Sequence, residues 1–221
     1  MSLPFSAAQF FDVFRQYNAS IWPVQFLLVA LAACAAALAL RPRRRSGQIV
    51  AIYLAAQWCW TGVVYHWWFF SPINPAATLF AGLWILGAVA FATGAGGRRA
   101  LSFRTASRWR VGIGGSLIAY ALFVYPLLGF LSGRTYLASP TFGAPCPVTI
   151  YTFGLLWLVS GRLPLWIVLA PVAWAAIGSS AAFTLGVYED LGLLAAGISG
   201  LALPFVRHSP RLAPEATTFG R

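Results

Sequence analysis

The sequence predicts an all-α membrane protein in which a bundle of seven transmembrane helices follows an amphipathic helix on the outer side. Three observations predict this fold class. Of the 221 residues, 60% are hydrophobic and only 9% are charged, whereas soluble domains average about 25% charged residues. The charges cluster in short segments. The apolar runs between them approach the roughly 20 residues that a helix needs to cross a bilayer.

The first 20 residues predict an amphipathic interfacial helix. They lack the basic start and the apolar core of a secretory signal peptide. Ser6 and Gln9 have the spacing of a capping box, and Phe5 and Phe10 occupy the two positions of a hydrophobic staple. Aromatic residues then recur at helical spacing, so residues 1–20 either lie flat on the bundle or act as a lid or interfacial anchor.

Seven apolar stretches fill residues 21–206, the predicted transmembrane domain, and residues 207–221 form a predicted cytoplasmic tail. Glycines such as Gly112, Gly115 and Gly200 predict close helix contacts. The expected spans are 21–40, 49–70, 75–92, 111–131, 147–160, 163–184 and 191–206.

The arginines predict the orientation. With seven spans, one side of the membrane carries only Arg15 and Arg134, and the other carries all the remaining arginines. Because basic residues accumulate on the cytoplasmic side, the amino terminus is expected outside and the carboxyl terminus inside. This placement explains the net charge of +11 without nucleic-acid binding, which we do not expect. The cytoplasmic set is Arg41, Arg43, Arg44, Arg45, Arg98, Arg99, Arg104, Arg108, Arg110, Arg162, Arg207, Arg211 and Arg221.

No Asp, Glu, Arg or Lys falls inside any of the seven predicted spans. Proton pumps and many ion-coupled transporters use an intramembrane carboxylate. The sequence therefore disfavours that mechanism. The odd number of cysteines, two of them within spans, also argues against a disulfide framework. No cofactor is predicted, and the sequence leaves the oligomeric state open.

Polar and aromatic side chains form a stripe along the second span. At 100° per residue, the stripe contains Tyr53, Gln57, Thr61 and Tyr65, while His66 shares the opposite side with Cys59. A buried glutamine in lipid needs partners, so the stripe is expected to face the bundle interior. The stripe either lines a path for a solute or holds helices together through hydrogen bonds.

Five chemically capable side chains meet at the outer end of the predicted bundle: His66, Arg134, Cys146, Glu189 and Asp190. In one interpretation, free N–H groups at the start of the fifth span attract a solute, helped by Arg134. Thr149 and Thr152 would then line the path below. The expected function is a small permease or channel for a polar or anionic solute that enters at the outer face.

Two chemical alternatives use the same cluster. Cys146 and His66, with Glu189 or Asp190, are candidate ligands of a soft or borderline metal ion. Alternatively, Cys146 is a nucleophile with His66 as its base, in a thiol-handling enzyme. Two further interpretations, which assign no chemistry to these residues, also stay open. Cys-Pro at a helix start is also common for steric reasons, which makes a structural thiol the simplest interpretation. In the second of these interpretations, the chain is a non-catalytic scaffold or a partner subunit of another protein.

Several short motifs together resemble a bacterial family of multi-pass membrane proteins that is known only as a domain of unknown function. The motifs are Tyr65-His66, the segment 69–75, Tyr125-Pro126 with Gly129, and the segment 140–149 around Pro145-Cys146-Pro147. The resemblance covers most of the chain. It implies a small protein of the bacterial inner membrane and supplies no activity.

Overall fold

The computed structural model describes residues 4–96, 100–103, 107–161 and 163–206. The described residues form eight helices and no β-strand, in agreement with the predicted all-α class. Each of the seven predicted apolar stretches contains one helix. The helices are α1 (Ala7–Ser20), α2 (Val24–Leu40), α3 (Ser46–Phe70), α4 (Ala77–Thr93), α5 (Arg108–Leu131), α6 (Pro145–Leu158), α7 (Leu165–Thr184) and α8 (Leu191–Leu201).

Three helices are long and apolar enough to cross a membrane, namely α3, α5 and α7. A fourth span results if α1 and α2, which meet at an angle of 87°, are counted as one broken span. The helices α4 and α6 are apolar but shorter. The predicted tail, together with Arg98, Arg99, Arg104, Arg162, Arg207, Arg211 and Arg221, lies outside the described residues.

The start of α1 agrees with the sequence prediction. Ser6 and Gln9 form the reciprocal capping box, in which each side chain accepts from the other residue's backbone N–H. The rings of Phe5 and Phe10 stack with their centroids 6.0 Å apart. Because the cap and the staple are local contacts, the spacings of three residues (Ser6 to Gln9) and five residues (Phe5 to Phe10) are enough to predict them.

The helix α6 lies at the centre of the bundle. All of its residues except Cys146 are buried, and it packs against α2, α3, α5, α7 and α8. A helix that is apolar on every side has no solvent face and is therefore buried all round. The segment before it, Ala138–Ala144, is buried as well, so this stretch is enclosed by the other helices.

Two helices change their geometry near one end of the bundle. In α3 the segment Thr61–Phe70 is π-helical, and in α5 the segment Tyr120–Val124 is π-helical. A π-helix has more residues per turn than an α-helix, so side chains beyond Thr61 leave the predicted register. Cys59, which precedes the π-helical segment, is exposed, whereas His66 within the segment is fully buried, so the prediction that they share one side is wrong.

Candidate functional site

A cavity of about 130 Å³ lies where α3 ends and α6 begins, which we call the His66 end of the bundle. Helix α1 covers it with Phe10 and Phe14, Phe5 adds a third ring from just before the helix, and Cys146 contributes to its wall from the first turn of α6. Most of the lining is aromatic or aliphatic carbon. The main lining side chains are Phe5, Phe10, Phe14, Tyr65, His66, Phe70, Asn74, Phe80, Cys146 and Trp174.

His66 is the polar centre of this cavity. The imidazole is fully buried, and neither ring nitrogen has a hydrogen-bond partner among the residues that the structure describes. Aromatic rings surround it, the nearest being Trp174 at 4.7 Å and Tyr65 at 5.2 Å between centroids. A buried imidazole must bond at one nitrogen as donor and at the other as acceptor to be satisfied. The geometry therefore suits a molecule in the cavity that offers a hydrogen-bonding group.

The cover of the cavity is fastened by Asn18 on α1. This side chain is fully buried and donates hydrogen bonds to the carbonyl oxygens of Leu137 and Ser139, both at 2.8 Å. Its own carbonyl oxygen accepts a bond of 2.7 Å from the Thr141 hydroxyl. Asn18 thus joins α1 to the loop that leads into α6. Asn18 is not among the predicted site residues, although a polar residue among the apolar positions of α1 is a signal that the sequence contains.

Two acidic residues lie buried beside the cavity, in the turn Tyr188–Asp190 before α8. Glu189 forms an ion pair with Arg134, and both Glu189 and Asp190 are only 1% exposed. The carboxyl of Asp190 accepts a hydrogen bond of 2.5 Å from the Tyr125 hydroxyl. The turn lies between two apolar stretches of the sequence, so local hydropathy predicts that it lies outside the bundle. In the structure the helices enclose Glu189 and Asp190.

Cys146 connects this acidic pair with the cavity. The thiol interacts with the Asp190 carboxyl and with Tyr125, and it lies beside Trp174. The indole N–H of Trp174 nevertheless has no partner with hydrogen-bond geometry. Cys146 therefore belongs to both groups of residues, because its side chain also lines the cavity.

Asp190 holds its proton more tightly than an ordinary aspartate. Burial raises the pKa of its carboxyl from 3.8 to about 7. The hydrogen bonds from Tyr125 and Cys146 oppose this rise, the Glu189 charge adds to it, and Arg134 lowers the pKa slightly. The Arg134 guanidinium is already paired with Glu189, so burial prevails.

Most residues of the predicted solute path lie outside the lining of the cavity. Gln57, Thr61, Thr149 and Thr152 are buried but do not line the cavity. Thr61 donates to the carbonyl of Gln57 or Gly143, at 3.1 and 3.2 Å. The threonines of α6 donate to carbonyls one turn earlier. Of the predicted path residues, only Tyr65 lines the cavity.

Two members of the stripe on α3 are less well satisfied. The amide nitrogen of Gln57 and the hydroxyl of Tyr53 are buried without a hydrogen-bond partner in the described part of the chain. Thr152 is engaged a second time, since it accepts a bond of 3.0 Å from the indole of Trp58. The stripe therefore contains both hydrogen bonds that join α3 to other segments and buried polar groups without a partner in the described residues.

The start of α6 is a weak anion site, contrary to the sequence prediction. Pro145 and Pro147 have no N–H, and the N–H of Val148 bonds to the carbonyl of Ala144 at 3.3 Å. Only Cys146 offers a backbone donor in the first three positions of the helix. Arg134, the predicted second attraction for an anion, is neutralised by Glu189.

The metal and nucleophile interpretations find little support in the geometry. Among the described residues, no three His, Cys, Asp or Glu side chains are grouped so that they could hold a metal ion. His66 and Cys146 line the same cavity, yet the imidazole has no hydrogen bond to the thiol. A cysteine nucleophile with a histidine base requires that bond or a close approach to it.

Comparisons with known proteins identify a family and no activity. No curated protein and no solved structure matches the chain. A family model matches residues 7–212, from the first turn of α1 to beyond α8. Because the match covers far more than half of the chain, the protein belongs to the family of unknown function DUF6064.

Proposed function

We propose that this protein is a membrane protein of the permease type, which binds a small neutral solute in the cavity at the His66 end of the bundle. The observation that carries the proposal is the buried imidazole of His66, which lines an aromatic cavity and has no hydrogen-bond partner at either nitrogen in the described part of the chain. Such pockets, mostly apolar with a few directed polar groups, are typical of small-molecule sites.

A membrane location is supported by the outer surface of the bundle. Large apolar side chains are strongly exposed on several helices, which is costly in water and favourable in lipid. Three helices are long and apolar enough to cross a bilayer, and the seven crossings that we propose also require the shorter helices α2, α4, α6 and α8 to serve as spans. Examples of the exposed side chains are Leu79, Leu86, Phe123, Leu131, Phe183 and Ile198.

Orientation follows from the arginine distribution. In the seven-span arrangement the His66 end is extracytoplasmic, and the inner bacterial membrane is the expected site. A reporter fused after Arg221 tests this. Cytoplasmic reporter activity is expected, and an extracytoplasmic signal would refute the seven-span topology or its orientation.

The nature of the solute follows from the lining. The cavity offers one imidazole, the Asn74 amide and aromatic faces, with no unpaired positive charge among its lining residues. A neutral molecule with one hydrogen-bonding group and an apolar body matches these features better than an anion. Of the polar or anionic solute expected from the sequence, the anionic form is therefore the weaker choice.

Benzamide and benzoate form a matched pair of probes for the site, because they share a shape and differ in charge. Binding is measured by equilibrium dialysis with the full-length protein in lipid nanodiscs. Benzamide is expected to bind at least tenfold more tightly than benzoate, a difference of about 1.4 kcal/mol. Equal binding, or tighter binding of benzoate, would refute the neutral-solute site.

Two substitutions locate the bound probe. Ala181→Trp fills the cavity that Ala181 lines and is expected to abolish benzamide binding. Ala176→Trp adds the same side chain to an exposed position of α7 and is the matched control. If both variants bind benzamide like the unmodified protein, the solute lies elsewhere and the proposal fails.

A further inference from the structure

Asp190 is a carboxyl group enclosed by the helix bundle, although the sequence has no acidic residue in a predicted span. Its surroundings contain one positive charge, Arg134, and one other acidic group, Glu189. Glu189 takes up the positive charge by pairing with Arg134. The titratable and charged groups that face Asp190 are Tyr65 on α3, Tyr120 and Tyr125 on α5, Arg134 in the following loop, Cys146 on α6 and the adjacent Glu189.

The charge count decides which form of Asp190 the fold favours. With Arg134 positive and Glu189 negative, an ionised Asp190 leaves one uncompensated negative charge in a buried site. Its hydrogen-bonding partners, the Tyr125 hydroxyl and the Cys146 thiol, are neutral. Burying an unpaired charge is expensive, so such a group takes up a proton instead. Asp190 can therefore change its charge close to neutral pH.

The same carboxyl lies one residue away from the solute cavity. Cys146 touches Asp190 with its thiol and lines the cavity. A neutral, mainly apolar molecule in the cavity replaces water next to this thiol and lowers the local polarity. Lower polarity favours the uncharged carboxylic acid over the carboxylate. By reciprocity, a protonated Asp190 must favour the bound solute.

We propose that Asp190 is a proton-binding site coupled to the cavity, so that solute binding is accompanied by uptake of one proton. This inference rests on the proposed function, because it needs a solute in the cavity. The proton binds to the carboxylate oxygen on solute entry and leaves it on solute release, with no other bond formed or broken. The protein is thereby equipped for proton-coupled solute transport, a mechanism that the sequence disfavoured.

The proton site is tested first without any solute. Infrared difference spectroscopy of the full-length protein in nanodiscs follows the C=O stretch of protonated carboxyls through a pH series centred on about 7. A titrating band is expected that Asp190→Asn removes. Tyr125→Phe deletes the hydrogen bond to the carboxylate and is expected to move the titration to higher pH. Tyr120→Phe is the matched control, since its hydroxyl bonds the backbone carbonyl of Glu189 at 2.8 Å.

The coupling is tested with benzamide. Above the titration midpoint, the affinity is expected to fall by up to about tenfold per pH unit, because only the protonated fraction binds well. In Asp190→Asn this pH dependence is expected to disappear. If that variant does not fold, the midpoint of the pH dependence in Tyr125→Phe must move together with its infrared titration.

The outcomes separate the two proposals. Absence of the titrating band, or a band that persists in Asp190→Asn, overturns the proton site whether or not benzamide binds. A band together with pH-independent benzamide binding overturns the coupling alone. Failure of benzamide to bind at any pH overturns the proposed function and the coupling, and leaves the proton site supported by its own band.

Discussion

The hydroxyl of Tyr125 donates a hydrogen bond of 2.5 Å to the carboxyl of Asp190, which lies 65 residues later in the chain. This bond joins α5 to the turn before α8 and holds a carboxyl beside the thiol of Cys146. Because burial raises the Asp190 pKa to about 7, the stability of the fold depends on pH.

Asp190 is expected to make the folded protein less stable as pH rises from about 4 to about 7. The pKa of its carboxyl is 3.8 in an exposed chain and about 7 when folded, so between these values the folded state binds one more proton. The stabilisation is complete below the lower value and is lost as pH rises through the upper one. Thermal unfolding of the unmodified protein and of Asp190→Asn through this window measures it. A melting temperature whose pH dependence is identical in both contradicts the prediction.

Removing the Asn18 amide is expected to loosen the cover of the cavity. Asn18→Ala leaves the buried carbonyl of Ser139 and the partly buried carbonyl of Leu137 without their donor, at a cost of about 1 to 3 kcal/mol. Hydrogen exchange in α1 and in the loop before α6 is expected to rise together. Gln16→Ala changes an exposed residue of the same helix and is the control. Unchanged exchange in Asn18→Ala would show that other contacts hold α1.

Helix α5 approaches α6 through Gly114. A Cβ atom there would lie 2.6 Å from the carbonyl oxygen of Gly154, whereas Gly112 and Gly115 have open space around theirs. The prediction that these two glycines make close contacts is therefore wrong, while Gly200 does meet the ring of Phe153. Gly114→Val is expected to destabilise the protein by about 1 to 3 kcal/mol.

Gly112→Val is the matched control for this contact, and it is expected to be nearly neutral. Thermal unfolding of the two variants in the same detergent makes the comparison. Equal losses in both would mean that the backbone cost of valine, rather than the approach of the two helices, governs the result.

Gln57→Leu tests the stripe on α3. Because the amide nitrogen of Gln57 is buried without a partner among the described residues, the leucine variant is expected to be about 1 kcal/mol more stable. It should bind benzamide normally, since Gln57 does not line the cavity. If the stripe is the transport path, protein-dependent flux of benzamide into proteoliposomes is lost. Unchanged flux would refute the path and leave the cavity intact.

The positions of the helices were predictable from local information. Hydrophobic runs determine which segments become helical in an apolar environment, and the capping box and staple of α1 involve residues within one turn of each other. The resemblance of the short motifs to a family of unknown function also agrees with the matched family model. Among the candidate site residues, Tyr65, His66 and Cys146 do line one cavity.

The register of α3 could not be predicted in the same way. The predicted register rests on an ideal helix with 100° per residue, whereas the segment Thr61–Phe70 is π-helical, which apolar spacing alone does not indicate. This change moves His66 from the side of the exposed Cys59 to the buried side. Asn18 was missed because its partners come from a loop about 120 residues away.

By itself the sequence determined that the chain is all-helical, in which order its apolar segments follow, and at which few positions polar and titratable residues lie. All of these depend on composition and short-range spacing. Only the tertiary structure decided that Glu189 and Asp190 are buried. Their environment is made by Arg134 and Tyr125, 55 and 65 residues away in the chain, and a charge count along the sequence cannot show which charges meet.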